Sequence, residues 1–316
     1  MKQSVFMQSA NSLGSTVELR IVTDNQLEAD DWFVRLWDSI QEFQNRYSRF
    51  LPDSEVTYLN QNAGNKLTID DEFKKLLQRT KHFSRITDGL FNPFVLPMIQ
   101  KAGYVTSLDN PHLPELNYSD RNVVDVSKLE LGKSWVYIPE NTAIDLGGIG
   151  KGYLADELGQ MLNGEIENYC LSIGGDIFAR GSAAGEPWDI KVQSINESIL
   201  GSTIVKMASD TFAVATSGTT RSNQQHIIDP RTLKIAKTDF DLCTIVADDT
   251  TTADVLASCI LIGGKKLASG LMQQNLIKGV LLQKLGGIKV ILGNCFGKFD
   301  SEPRSANQTL KGLTYA

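Results

Sequence analysis

Cysteine is scarce in this sequence, and the few cysteines do not cluster. The 316 residues include four. Cys170, Cys243, Cys259 and Cys295 form no CxxC pair and lie among apolar neighbours, so small core hydrophobes are expected rather than a disulfide framework or a zinc site. Histidine is scarcer still. His82, His112 and His226 are far apart and no HExxH is present, which removes support for a zinc hydrolase. Excess positive charge is missing too: 31 Lys plus Arg stand against 37 Asp plus Glu, a formal net charge of -6. The pairs Lys74-Lys75 and Lys265-Lys266 are isolated, so no field exists to attract nucleic acid, and no nucleic-acid partner is expected. Behind Lys2 there is no apolar run of the kind a signal peptide needs. Other apolar runs fall far short of the roughly 20 residues of a membrane span, and the expected location is cytoplasmic. No repeat of domain-building period is evident.

What is present is ordinary globular material, 41% apolar and 22% charged, enough for a sizeable core in one large domain or two packed ones. Alternation predicts a strand over 16–23. The stripe Phe33, Leu36, Trp37, Ile40, Phe43 and Tyr47 predicts a helix over 28–47. Pro52 breaks it, and Asp53 is placed to cap a short helix from Ser54. A helix is expected over 70–86, then a loop at TDGLFNPFVLP enforced by Gly89, Pro93 and Pro97. The polar stretch 102–120 reads as a surface excursion. Strand-like pieces follow at 122–126 and 134–139, then an extended segment, a glycine turn and a helix in TAIDLGGIGKGYLADELGQML. Strands are read at YCLSI and after Gly-Gly-Asp, at 188–193, 203–208, 211–216 and 241–247, with late hairpin material at GVLLQKLGG and IKVILGN. Helices are read at 253–262 and 267–275, and HIIDPRT as a loop. This interspersion without regular βαβ spacing indicates an α+β class or mixed sheet. Two Gly-Gly-Asp-type turns hint at a duplicated layout.

Three turns carry candidate chemistry. Asp145-Leu146-Gly147-Gly148-Ile149-Gly150-Lys151-Gly152 has four glycines in six positions followed by a helix. Its amides and Lys151 suit a phosphate, although it matches neither the Walker nor the GxGxxG pattern, and a tight structural turn is the rival reading. Asp176, after Gly174-Gly175, could accept hydrogen bonds from a ligand or simply cap its turn. Asp254 and Ser258 stand four apart and share a helix face. A carboxylate and a hydroxyl so placed suit Mg²⁺, while the alternative is a helix start capped by Thr250, Thr251 or Thr252. His226 precedes Ile227-Ile228-Asp229-Pro230, where a stiff loop could present the ring.

Read together, LGST (13–16), YSRFLPDSEVTYLN (47–60), TDGLFNPFVLP (87–97), IDLGGIGKGYLADEL (144–158), LSIGGDIFARG (171–181), VATSG (214–218), HIIDPRT (226–232) and TADVLAS (252–258) resemble the family of FAD:protein FMN transferases. Any one of these is weak; eight in order are specific. The resemblance implies a single domain over 1–316 with two internal lobes. It implies an α+β, mixed-sheet flavin transferase fold with a cleft between intimately packed halves. The implied activity is cleavage of FAD and attachment of FMN, through a phosphoester, to a Thr or Ser of an acceptor protein, with release of AMP. Such acceptors resemble FMN-binding redox subunits or flavin-dependent reductases. Carried over, Leu13 and Phe50 lie near the flavin, and Leu90, Phe91 and Asn92 line its pocket. Asp145, Lys151 and Asp176 hold polar groups of FAD, and His226 sits toward its phosphate end. Gly148, Asp254, Ala257 and Ser258 hold Mg²⁺, with His226, Asp254 and Lys151 as the catalytic candidates. A Mg-dependent FAD pyrophosphatase and a non-catalytic FAD-binding protein are the alternatives. Two departures from the family pattern stand out: Thr219–Gln225 is short and polar, and Ser258 replaces the usual Thr.

Overall fold

Eight strands that follow one another in the chain also follow one another in space. They are β1 (Ser4–Ser12), β2 (Ser15–Thr23), β3 (Tyr169–Ile173), β4 (Asp176–Arg180), β5 (Thr211–Gly218), β6 (Leu242–Ala247), β7 (Gly279–Lys284) and β8 (Ile288–Leu292), and each pairs antiparallel with the next. The computed structural model describes residues 3–105, 116–196, 203–205, 210–221, 224–298 and 313–315. Its helices are α1 (Gln26–Tyr47), α2 (Glu55–Gln61), α3 (Asp71–Ile86), α4 (Leu96–Lys101), α5 (Gly150–Leu162) and α6 (Thr250–Gln273). The expected mixed α and β class is the observed one.

The chain divides into two units, the first built from Met1–Gln41, Lys151–Gly218 and Asp239–Ala316, the second from Glu42–Gly150 and Thr219–Thr238. In the first unit the eight-stranded sheet is covered on both faces. Every residue of β6 is buried, as a continuous apolar run demands of a central strand. Ile177, Val214, Val246 and Leu281 pack on one face against Trp188 and against Ile190 and Val205 of a smaller four-stranded sheet. Helix α6 lies against β5 and β6. Phe178, on the face opposite Ile177, meets α5 so closely at Gly159 that a Cβ there would lie 2.2 Å from its ring. By length and composition α6 could cross a membrane, contrary to the expectation that no stretch comes near. Gly264, at φ 66°, breaks it, and Thr250–Ala257, Cys259, Ile260 and Leu261 are buried.

The second unit packs α2, α3 and α4 with a three-stranded sheet. The cap of α2 is Ser54, whose Oγ accepts from Thr57 N at 3.1 Å. Asp53, the expected cap, lies one residue too early. TDGLFNPFVLP is more than a loop: Pro93 opens a short 3₁₀ turn and Pro97 sits in the first turn of α4, where a missing N–H costs nothing. Residues 106–115 of the expected excursion lie outside the described residues. Its end is not surface, because Tyr118 is buried against Leu96 and Ala143, tied down by Gln100. The strand expected at 122–126 reduces to one bridge, Asn122 with Thr142, although Trp135–Tyr137 is a strand. HIIDPRT is half a hairpin, with Ile228–Asp229 paired to Lys234–Ile235. The two Gly-Gly turns are not duplicates, since one precedes a helix and the other joins β3 to β4.

Candidate functional site

In the first unit, the candidate residues converge where α5 begins beside the start of β4 and the first turns of α6. Lys151 Nζ is hydrogen-bonded to Asp176, and it lies 3.7 Å from Asp254 Oδ2. Asp176 and Asp254 are both almost fully buried. The ammonium therefore sits between two carboxylates, and the corner is formally anionic rather than the cationic phosphate cradle the glycine turn suggested. In this unit Gly152 N is engaged, donating to Asp254 Oδ2 at 3.2 Å; in the second unit Gly147 N donates to Asp145 Oδ1, and Ile149 N and Gly150 N to Leu146 O. The glycine at 152 is required for another reason. A Cβ there would lie 2.6 Å from Thr250 O and 2.9 Å from the Asp254 Cβ, so its absence lets α5 touch α6.

Asp254 and Ser258 do share a face of α6, as their spacing predicted. Ser258 Oγ is 2.8 Å from Ser217 Oγ on β5, a contact that restrains a side chain lacking the methyl of threonine. The cap of this helix is Asp249, which accepts from Thr252 N; the threonines expected to cap it are instead its first turn. Leu13 tips the β1–β2 hairpin with φ 55°, followed by Gly14 at φ 71°. Both residues lie in the left-handed region that a tight two-residue hairpin turn requires. Ser15 beyond it lies beside Gly174, where a Cβ would also meet the Lys151 chain.

A hard divalent cation would need oxygen donors in this corner. Among the described residues no group of three or more His, Cys, Asp or Glu side chains is placed to hold a metal. One buried carboxylate, Asp254, and one hydroxyl, Ser258, a turn apart on α6, are nonetheless an all-oxygen set. That sparse set fits Mg²⁺, which takes one or two carboxylates and completes its shell with water and substrate phosphates.

In the second unit, Phe50 and Tyr104 rings meet edge to face at 6.1 Å, and the His226 ring is 6.4 Å from Tyr104. The Arg49 guanidinium lies 4.0 Å from the Phe50 centroid and 5.2 Å from that of Tyr104, donates to Tyr104 O, and pairs with Asp145 at 3.5 Å. His226 thus lies beside Tyr104, which in turn meets Phe50. Asn92 is committed on both sides, its amide to Val124 O and its oxygen to Phe94 N, which shapes the turn carrying Leu90 and Phe91. Phe91 is the neighbour of Gly148. Thr220–Arg221 pairs with Gln224–Gln225 in the short segment after β5. Sequence reasoning left Arg49, Tyr104 and Ser217 without roles. Arg49 and Ser217 stand inside recognised motifs, whereas Tyr104 carried no signal.

Residues 13–281 match the family model described as the ApbE family. Among curated proteins, the chain is 25% identical over 281 residues to the FAD:protein FMN transferase of Vibrio cholerae, covering 83% of each. It is 22% identical over 291 residues to that of Haemophilus influenzae, covering 86% of this chain and 84% of the relative. Among solved structures it superposes on a flavin transferase from Vibrio cholerae with a TM-score of 0.77 at 21% identity, covering 92% and 97%. On the ApbE protein of Thermotoga maritima the TM-score is 0.75 at 23% identity, covering 98% and 99%. These likenesses extend over nearly the whole fold.

Proposed function

The chain belongs to the ApbE family, and from that premise we propose that it is an FAD:protein FMN transferase. It breaks the bond between the FMN phosphorus and the bridging oxygen of the FAD pyrophosphate. The same phosphorus bonds to a Thr or Ser hydroxyl oxygen of an acceptor protein, AMP leaves with the bridging oxygen, and the hydroxyl proton is released. The acceptor supplies the nucleophile, so this chain needs no nucleophilic Ser-His-Asp set of its own.

The observation that carries the reading is the Lys151, Asp176 and Asp254 cluster. Two carboxylates against one ammonium would repel a pyrophosphate. They suit it only with a cation of higher charge, and Mg²⁺ held by Asp254, Ser258 and the Ala257 carbonyl would reverse the sign of the corner. When bound, such an ion withdraws charge from phosphate oxygens as the leaving group departs. Lys151, oriented by Asp176, then presents an ammonium hydrogen to an FAD phosphate oxygen. In the second unit, Phe50 and Tyr104 with the Arg49 plane offer faces for a flavin ring, with Leu90 and Phe91 as apolar lining. Arg49 holds Asp145 for a polar group of the cofactor.

The test is the intact mass of an acceptor bearing a Thr-containing FMN-binding segment, incubated with the chain, FAD and Mg²⁺. A gain equal to FMN less one water, abolished by Asp254→Ala or by EDTA, is expected. AMP and FMN release with no change in acceptor mass across a panel of such acceptors would overturn the transferase reading.

A further inference from the structure

Asp156, on α5, has none of the roles assigned above. Its carboxylate accepts three hydrogen bonds from the first turn of α6: Thr250 N at 2.7 Å, Thr251 N at 2.8 Å and Thr251 Oγ1 at 2.5 Å. Asp249 caps the helix through the Thr252 N–H and hydroxyl, and Asp156 takes the buried Thr250 and Thr251 N–H groups that this cap leaves open. A second carboxylate beside the first is unfavourable. Loss of water, then repulsion from Asp249, pushes Asp156 up to about 6 against the pull of its hydrogen bonds from Thr251 and Thr250. The groups that face it electrostatically are Asp249 and the Tyr169 hydroxyl.

What Asp156 does achieve is to tie two helices together. One turn earlier on α5, Gly152 makes the other tie through its N–H to Asp254 and its backbone contact with Thr250. Positions 152 and 156 share a face of α5. A single tie would leave α6 free to pivot, whereas two a helical turn apart fix its separation and its rotation. Asp254 and Ser258 lie one and two turns further along the helix so fixed, and Lys151 adjoins Gly152.

We propose that Asp156 is a positioning residue for the transfer reaction, clamping the first turn of α6 to α5 so that Asp254 and Ser258 keep their register with Lys151. The proposal rests on the transferase reading for its catalytic consequence, but the clamp itself can be tested without turnover.

The experiment compares the full-length wild type with Asp156→Asn and with Thr251→Val, which keeps both backbone bonds and loses only the hydroxyl. Asp156→Asn is expected to bind FAD, followed by flavin fluorescence, within about threefold of wild type. Its Thr250–Asp254 amides should exchange with deuterium at least tenfold faster. Its kcat should fall on the order of 10–100-fold, as a small misplacement of a reacting group produces. The wild-type kcat should decline below pH about 6, and the variant should lose that limb; Thr251→Val should fall between. A folded Asp156→Asn with wild-type kcat and an unchanged pH profile would overturn the proposal, as would a kcat loss matched by an equal loss of FAD affinity. If the wild type itself transfers no FMN, the transferase reading fails, and the exchange measurement alone decides the clamp: unaltered exchange rejects it, accelerated exchange upholds it.

Discussion

Lys151 illustrates how one residue can carry both stability and chemistry. Its ammonium neutralises a nearly fully buried Asp176 while reaching toward Asp254. Substituting Lys151→Met would leave that carboxylate buried and uncompensated, at a cost of about 3 kcal/mol. Adding Asp176→Asn removes the orphaned charge and should restore most of the loss. Urea denaturation of both variants, set beside the acceptor mass measurement, separates the two roles. Stability should return in the double variant and FMN transfer should not. Recovery of transfer along with stability would mean that the ammonium serves folding only.

The α5–α6 crossing depends on a side chain that is missing. Gly152→Ala would improve helix propensity by about 1 kcal/mol, yet it forces a Cβ into backbone 2.6 Å away. A net loss of about 2 kcal/mol is expected. Gly270→Ala on α6, with nothing within 4 Å, is the control and should gain roughly 0.5–1 kcal/mol; equal effects at the two sites would refute the close-contact account. Such crossings also mark where the sequence stops being readable. The stripe from Phe33 to Tyr47 announced α1, and the apolar residues of 241–247 announced a strand, because burial leaves its mark on local residues. β1 was missed because SVFMQSANS is an edge strand whose side chains are mostly exposed and carry no alternation. The choice of Ser54 over Asp53 turns on one residue of backbone geometry that composition cannot report. The Arg49 contact with Tyr104 spans 55 residues, and only folding brings that pair together. Asp254 and Ser258 were legible because a helix places i and i+4 on one face. Their neighbours Lys151 and Ser217 came from other elements, and the anionic balance of the corner appeared only once those elements met.

Across the molecule, the titrating groups act on stability in opposite directions. Asp156 binds its proton more tightly in the folded chain than unfolded, because lost hydration and Asp249 raise it to about 6. Its contribution is therefore fully present below the ordinary carboxylate range near 4 and is lost as pH rises through about 6, on the order of 1–3 kcal/mol. Asp125 and Asp229 run the other way. Hydrogen bonds from Ser127, and from Arg231, hold them below the usual value, so their stabilisation is present above that value and disappears in more acid solution. Denaturant midpoints taken between pH 4 and 7 should fall more steeply for wild type than for Asp156→Asn; parallel curves would contradict the assignment. The division of the chain has a temporal consequence as well. A ribosome releases residues 42–150 long before the sheet of the first unit can close, because β8 ends only at Leu292. The growing polypeptide must therefore hold the β1–β2 hairpin while the open edge of β2 waits for β3, which emerges more than a hundred residues later, so that edge is exposed to nascent-chain aggregation and dependent on chaperone cover.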